Sequence, residues 1–134
     1  MNVNTTGSQN VAMGVLALDA NTTASNNTAV GYASLGANTT GTKNVAVGSL
    51  SGDANTTGSF NTALGYQSLT SNTTADGNTA IGNDALSTNS TGSSNTALGS
   101  GALYANTTAS NNTAVGMNTL VANTTGYSLT AVGK

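Results

Sequence analysis

Cysteine, histidine, proline, tryptophan, arginine and glutamate are absent from all 134 residues, and each absence removes a class of chemistry. Without Cys there is no disulfide staple and no thiolate, which leaves the redox compartment open. Without His, Cys, Glu or Arg there is no Ser-His-Asp triad, no thiol nucleophile and no customary zinc site. The expectation is a protein that is not an enzyme and takes no cofactor or metal. Charge is nearly as scarce: Lys43 and Lys134 stand against Asp19, Asp53, Asp76 and Asp84, for a net charge of −2. Phosphate binding needs clustered Lys and Arg, so nucleic acid is not an expected partner. Disordered chains stay soluble through high net charge, which this one does not have. The longest apolar run, from Val11 to Leu18, is eight residues, whereas a membrane-crossing helix needs about 20. Membrane insertion is therefore not expected, and the N-terminus carries no basic segment and apolar core of a secretory signal.

What the chain has instead is a repeat. Asn-Thr-Thr begins at Asn4, Asn21, Asn38, Asn55, Asn72, Asn106 and Asn123, and at Asn89 it reads Asn-Ser-Thr; every spacing is 17. Counted from that Asn, the consensus is N-T-T-G/A-S-x-N-T-A-V/L-G-x-x-S/A-L-x-A. The first Asn, the third-position Thr, the ninth-position Ala and the eleventh-position Gly do not vary among the eight copies. Residues 1–134 thus read as one repeat domain, with Met1 already in the fifteenth column and Lys134 in the twelfth.

A period of 17 is too short for helix-pair repeats, which need roughly 33 residues or more. Asn, Thr, Ser and Gly also rank low in helix propensity. Asn27-Thr28-Ala29-Val30-Gly31 reads as a short strand ending at a glycine corner, since Thr and Val suit a pleated surface and Gly accepts positive φ. Asn-Thr-Thr-Gly is the other expected corner, because Asn and Thr side chains bond nearby backbone in turns. The expected fold is all-β: a parallel β-solenoid of eight 17-residue coils, about 38 Å long. A competing picture turns Tyr66-Gln67-Ser68-Leu69-Thr70 and its equivalents into a helical turn, shortening a second strand.

Stacked coils align identical side chains into ladders, and amide and hydroxyl ladders are favourable. The expected ladder residues include Asn21, Asn38, Asn55, Thr23, Thr40, Asn27, Asn44, Gly31, Gly48 and Gly65. Side chains alternate across a strand, so Val30 and Ala29 point opposite ways. Ala29 and Ala46 in the ninth column, Val30, Val47, Leu64, Ile81, Leu98 and Val115 in the tenth, and Leu35, Leu69, Leu86 and Leu103 in the fifteenth are expected in the core or in an interface. A strand apolar on both faces needs cover on each. Coils this poor in large side chains offset only part of their ordering cost. Self-association follows, with a homotrimer as the expected form. Val15, Leu16, Tyr127 and Leu129 make the end coils more apolar, which suggests end-to-end contacts and a filament.

Asn27-Thr28-Ala29-Val30-Gly31-Tyr32-Ala33-Ser34 and Asn44-Val45-Ala46-Val47-Gly48-Ser49-Leu50-Ser51 resemble the N-S-V-A-I-G-x-x-S pattern in head repeats of YadA-like trimeric autotransporter adhesins. They are similar also to repeats of phage tail fibres. The resemblance implies a left-handed parallel β-roll, three chains side by side, and a place at a cell or virion surface. It also implies tenth-column residues toward the trimer axis and ninth-column alanines inside the roll. Two features depart from the pattern: the period is longer, and Thr replaces Val in the eighth column of most copies.

Other candidates carry less. Lys43 could pair with a Ser, but a lone Lys on a polar loop is ordinarily solvated. Asp19 and Asp53 share the sixteenth column roughly 10 Å apart, too far to share a calcium ion within one chain. Gly99-Ser100-Gly101 lacks the third glycine of a nucleotide loop. Tyr32 and Tyr66 in the twelfth column, with Tyr104 in the sixteenth, could contact sugars or neighbouring filaments. The Asn-x-Thr triplets match glycan acceptors, yet a buried ladder could carry no glycan. Ranks of Thr could bind ice, although adjacent Thr-Thr does not give two outward ranks. The functional expectation is a structural segment of an extracellular filament or fibre. The alternative is an adhesin head or phage-fibre module binding a host surface, and an ice-binding solenoid comes third.

Overall fold

The computed structural model describes residues 3–134, so the register of Met1 lies outside the described residues. Eight three-residue strands follow one another: β1 (Val11–Met13), β2 (Thr28–Val30), β3 (Val45–Val47), β4 (Thr62–Leu64), β5 (Thr79–Ile81), β6 (Thr96–Leu98), β7 (Thr113–Val115) and β8 (Thr130–Val132). They form one parallel sheet in sequence order. Each residue pairs with the one 17 positions on, as Ala29 does with Ala46 and Val30 with Val47. The chain is a parallel β-solenoid in which like meets like along the axis.

The strand is short because the glycine after it turns the chain. Gly65 sits at φ +136°, and a Cβ there would lie 2.6 Å from the Gly82 carbonyl oxygen of the next coil. Only Gly fits both constraints, which accounts for the invariant eleventh column. Beyond that corner the structure differs from expectation. The segment Tyr66–Thr70 forms neither a second strand nor a helical turn; it is a run of tight turns. Gln67 and Leu69 both take left-handed conformations, at φ 51° and 53°, and Ser68 between them does not. The amides of this run are shared out: the Gln67 amide donates back to the Ser49 carbonyl, the Ser68 amide to the Gly65 carbonyl of its own coil, and the Leu69 amide forward to the Ala85 carbonyl. Such a backbone is stitched to both adjacent coils without being extended.

The same pattern recurs in every coil. Left-handed residues occupy the sixth, thirteenth and fifteenth columns throughout, among them Phe60, Gln67 and Leu69. For a residue other than Gly this costs about 1–2 kcal/mol, and the ladders to neighbouring coils offset it. Inside, the ninth-column alanines and fifteenth-column leucines make one continuous core: Ala29, Ala46, Leu35, Leu69, Leu86 and Leu103 are all buried. Gly52 interrupts the leucine row, and Leu35 reaches toward the space left, its Cδ2 being 3.2 Å from where a Gly52 Cβ would stand. Among the described residues no helix is long and apolar enough to cross a membrane.

Candidate functional site

Two columns of buried asparagine brace the solenoid from within. In the first column each side-chain amide from Asn21 onward donates to its copy one coil back: Asn38 Nδ2 to Asn21 Oδ1 at 3.2 Å, and Asn55 Nδ2 to Asn38 Oδ1 at 2.9 Å. In the seventh column the oxygen instead accepts a backbone amide, Asn44 N–H donating to Asn27 Oδ1 at 2.9 Å. The two columns meet at shared carbonyls. The Gly41 oxygen accepts from Asn38 Nδ2 of its own coil and from Asn27 Nδ2 of the coil before, both at 2.9 Å. A buried polar group that is fully hydrogen-bonded rigidifies where an unpaired one would destabilise. The first-column asparagines have their amides committed here, so a glycan could attach to a buried one only by opening its coil.

Thr23 and Thr40 do not supply the hydroxyl ladder, although the Thr40 amide donates to the Thr56 carbonyl of the next coil at 3.2 Å. Both are exposed. The laddering hydroxyl is one residue earlier, in the second column, where Thr39 Oγ1 donates to the Thr56 carbonyl at 3.0 Å and Thr56 Oγ1 to the Thr73 carbonyl at 2.9 Å. Consecutive residues at this corner point different ways, and only the second-column side chain runs along the axis. Of this pair only the third column presents an outward rank; further outward threonines, Thr28, Thr62, Thr79, Thr96 and Thr113, belong to the strands.

The tenth column faces outward. Met13, Val47, Leu98 and Val132 are exposed, while Val30, Leu64, Ile81 and Val115 are half-buried by their neighbours. These six expected residues, Val30 to Val115, thus lie on the outer face and not in the core, because strand alternation gives the inner face to Ala. With Val11 and Val45 of the eighth column, also exposed, they form an apolar stripe along the length of the sheet, edged by threonine.

Elsewhere the surface is polar with isolated aromatics. Tyr32, Tyr66 and Tyr104 are exposed, as is Phe60. Lys43 forms no Ser-Lys pair; its Nζ lies 5.0 Å over the Phe60 ring. Asp19 and Asp53 line a shallow cavity of about 270 Å³ with Leu16, Ala33, Gly36 and Ala37. Asp53 accepts a hydrogen bond from Thr70 Oγ1 in the next coil. Among the described residues no group of three or more His, Cys, Asp or Glu side chains is placed to hold a metal. Two acceptor triplets escape a reading based on the 17-residue ladder: Asn26-Asn27-Thr28 and Asn111-Asn112-Thr113, whose first Asn is exposed at a left-handed corner. Their overlap with the ladder Asn hid them.

The end coils depart from this order. Val15, Leu16, Tyr127 and Leu129 are all exposed. Leu129 interrupts the seventh column, although its backbone amide still donates to Asn112 Oδ1 at 3.0 Å. Asn112 Nδ2 is buried without a partner; in earlier coils that group reaches the fourth-position carbonyl of the next coil, as Asn95 Nδ2 reaches Ala109. Comparison with protein-family models, with curated proteins and with solved structures found no match for this chain.

Proposed function

We propose that this chain is a non-catalytic structural segment of an extracellular filament or fibre, built by association of copies of itself. The observation that carries the reading is the outward tenth column: one large apolar side chain per coil, aligned by the register into an uninterrupted stripe. Contiguous exposed apolar surface of this kind marks an interaction site. Its uncharged threonine border fits a like surface better than a charged one. A straight stripe on a regular rod is satisfied by another such rod lying alongside, and three rods close around an axis so that every stripe is covered. Stiffness then comes from the continuous backbone and asparagine ladders, and resistance to proteolysis from a chain with every coil stitched to its neighbours.

Sedimentation equilibrium decides the point. The protein is expected to run at three times the chain mass. The variant Val47→Lys, Leu64→Lys, Ile81→Lys is expected to run at the chain mass with an unchanged β-type circular dichroism spectrum, since these side chains are not in the core. A wild-type monomer at tens of micromolar would sink the reading. Host-surface binding is the second reading, favoured by the exposed rings of Tyr32, Phe60 and Tyr66. A scrambled-surface variant that keeps the interior columns separates the two: equal, weak binding to matrix and glycans by variant and wild type leaves the structural role alone.

A further inference from the structure

Past the glycine corner the chain enters a second facet, which the assembly above leaves unused. Tyr32 and Tyr66 stand there in one column, two coils apart, exposed at 52% and 50%. Ser49 lies between them. Their backbone is held by the ladder: the Leu50 amide donates to the Tyr32 carbonyl at 2.9 Å, the Gln67 amide to the Ser49 carbonyl at 3.1 Å, and the Asp84 amide to the Tyr66 carbonyl at 3.0 Å. Two rungs of a β-stack set the two tyrosine Cα atoms about 10 Å apart. The residues around them, Ala33, Ser49, Leu50 and Gln67, are uncharged. Asp84 stands at the far edge, where its carboxylate accepts from Asn83 Nδ2 at 2.6 Å.

A ligand suited to this strip has flat apolar faces at a fixed repeat, hydroxyls along its edges and no charge. Anions and acidic peptides find no cation beside the two rings, since Lys134, in the same column, stands four coils beyond Tyr66. An extended β-1,4-linked pyranose chain has these features. Each ring offers an apolar C–H face, each step along the chain is close to one coil height, and alternate rings face the same way. A chain laid parallel to the axis would bring every second ring over a tyrosine.

We propose that Tyr32 and Tyr66 form a binding strip for a neutral, extended β-1,4-linked polysaccharide. The two rings act as stacking platforms, and the Ser49 hydroxyl and Gln67 amide hydrogen-bond the hydroxyls of the sugar between them. Aromatic rings suit this work because they bury a large flat area at little entropic cost and keep a polar edge.

Cellohexaose titrated into the folded protein, in whatever oligomeric state it has, is expected to shift the tyrosine ring signals of Tyr32 and Tyr66 and leave those of Tyr104 and Tyr127 in place. Maltohexaose, whose α-linkages curl the chain, is expected to bind about tenfold more weakly. Tyr32→Ala and Tyr66→Ala are each expected to weaken binding about three- to tenfold, and Tyr66→Phe to retain it. The variant Ser49→Tyr, Tyr66→Ala brings the rings one coil apart and is expected to bind no better than Tyr66→Ala. No shift with cellohexaose or chitohexaose at millimolar concentration overturns the proposal. So does equal binding of maltohexaose, or a loss in Tyr66→Ala no larger than in Tyr104→Ala. Chain number does not enter these outcomes, so the strip and the fibre can fail separately.

Discussion

The inward columns of the solenoid hold almost one residue type each, whereas the outward columns, the invariant third-column threonine apart, hold many. Asn recurs at every first position and Ala at every ninth, and both are buried through the middle coils; the sixth column, outside, runs Gln9, Asn26, Lys43, Phe60, Gly77, Ser94 and Asn111. The difference is geometric. An inward side chain meets its own copies above and below, so a change in one coil must be accommodated by two others. An outward side chain meets water. The tenth column sits between these extremes: it is outside, and yet always large and apolar, varying only among Met, Val, Leu and Ile. An outward column with inward chemistry is what a face covered by another copy would look like.

Truncating one leucine on each side tests the contrast most severely. Leu86 is fully buried and Leu98 is 43% exposed. Leu86→Ala is expected to cost about 2–5 kcal/mol of stability. At a concentration where chains are separate, Leu98→Ala is expected to cost less than about 1 kcal/mol. Guanidinium unfolding followed by circular dichroism gives both numbers, and equal losses would mean that inside and outside have been misassigned. A smaller effect is expected from the polar ladder. Asn55→Ala removes the acceptor of Asn72 Nδ2, at 2.8 Å, and the donor to Asn38 Oδ1, which is expected to cost about 2 kcal/mol. Thr57→Ala, on the exposed rank, is expected to stay within about 0.5 kcal/mol. Amide exchange would sharpen this by locating the loss in the coils on either side of Asn55. The mildest expected change is a gain. Ser94 is exposed at φ 58°, so Ser94→Gly is expected to stabilise by up to about 1 kcal/mol through relief of backbone strain. A destabilised variant would show that the sixth-column side chains contribute contacts of their own.

Much of the architecture was legible because stacking writes itself into sequence as identity at a fixed spacing. The period, the corner at Gly31 and its equivalents, the asparagine rows and the buried Ala29 and Leu35 all follow from that rule. The left-handed residues did not show. Their signature is normally Gly or Asn, but here Gln67, Phe60 and Leu69 adopt the conformation because neighbouring coils impose it. Tertiary hydrogen bonds override local preference, and a reading residue by residue had only a strand or a helical turn to offer for Tyr66–Thr70. The threonine pair failed for a similar reason. Thr39 and Thr40 are chemically alike, and only the backbone direction at the corner decides which hydroxyl runs along the axis. For the outer face, alternation separated Val30 from Ala29, the resemblance implied Ala29 inside, and the closed coil gives the reason. Small side chains fit a narrow interior, and the large ones go out.

One feature of the asparagine row bears on how such a molecule changes size. From Asn21 onward every amide in the first column points the same way, and each donates to a partner that is chemically its twin. Duplicating one whole repeat inserts another identical link and leaves both joins chemically unaltered, because each unit touches only its neighbours. Gaining or losing any other number of residues throws asparagine against the wrong partner at the seam. Length can therefore drift through evolution only in whole rungs, like a ladder extended by copying its own step.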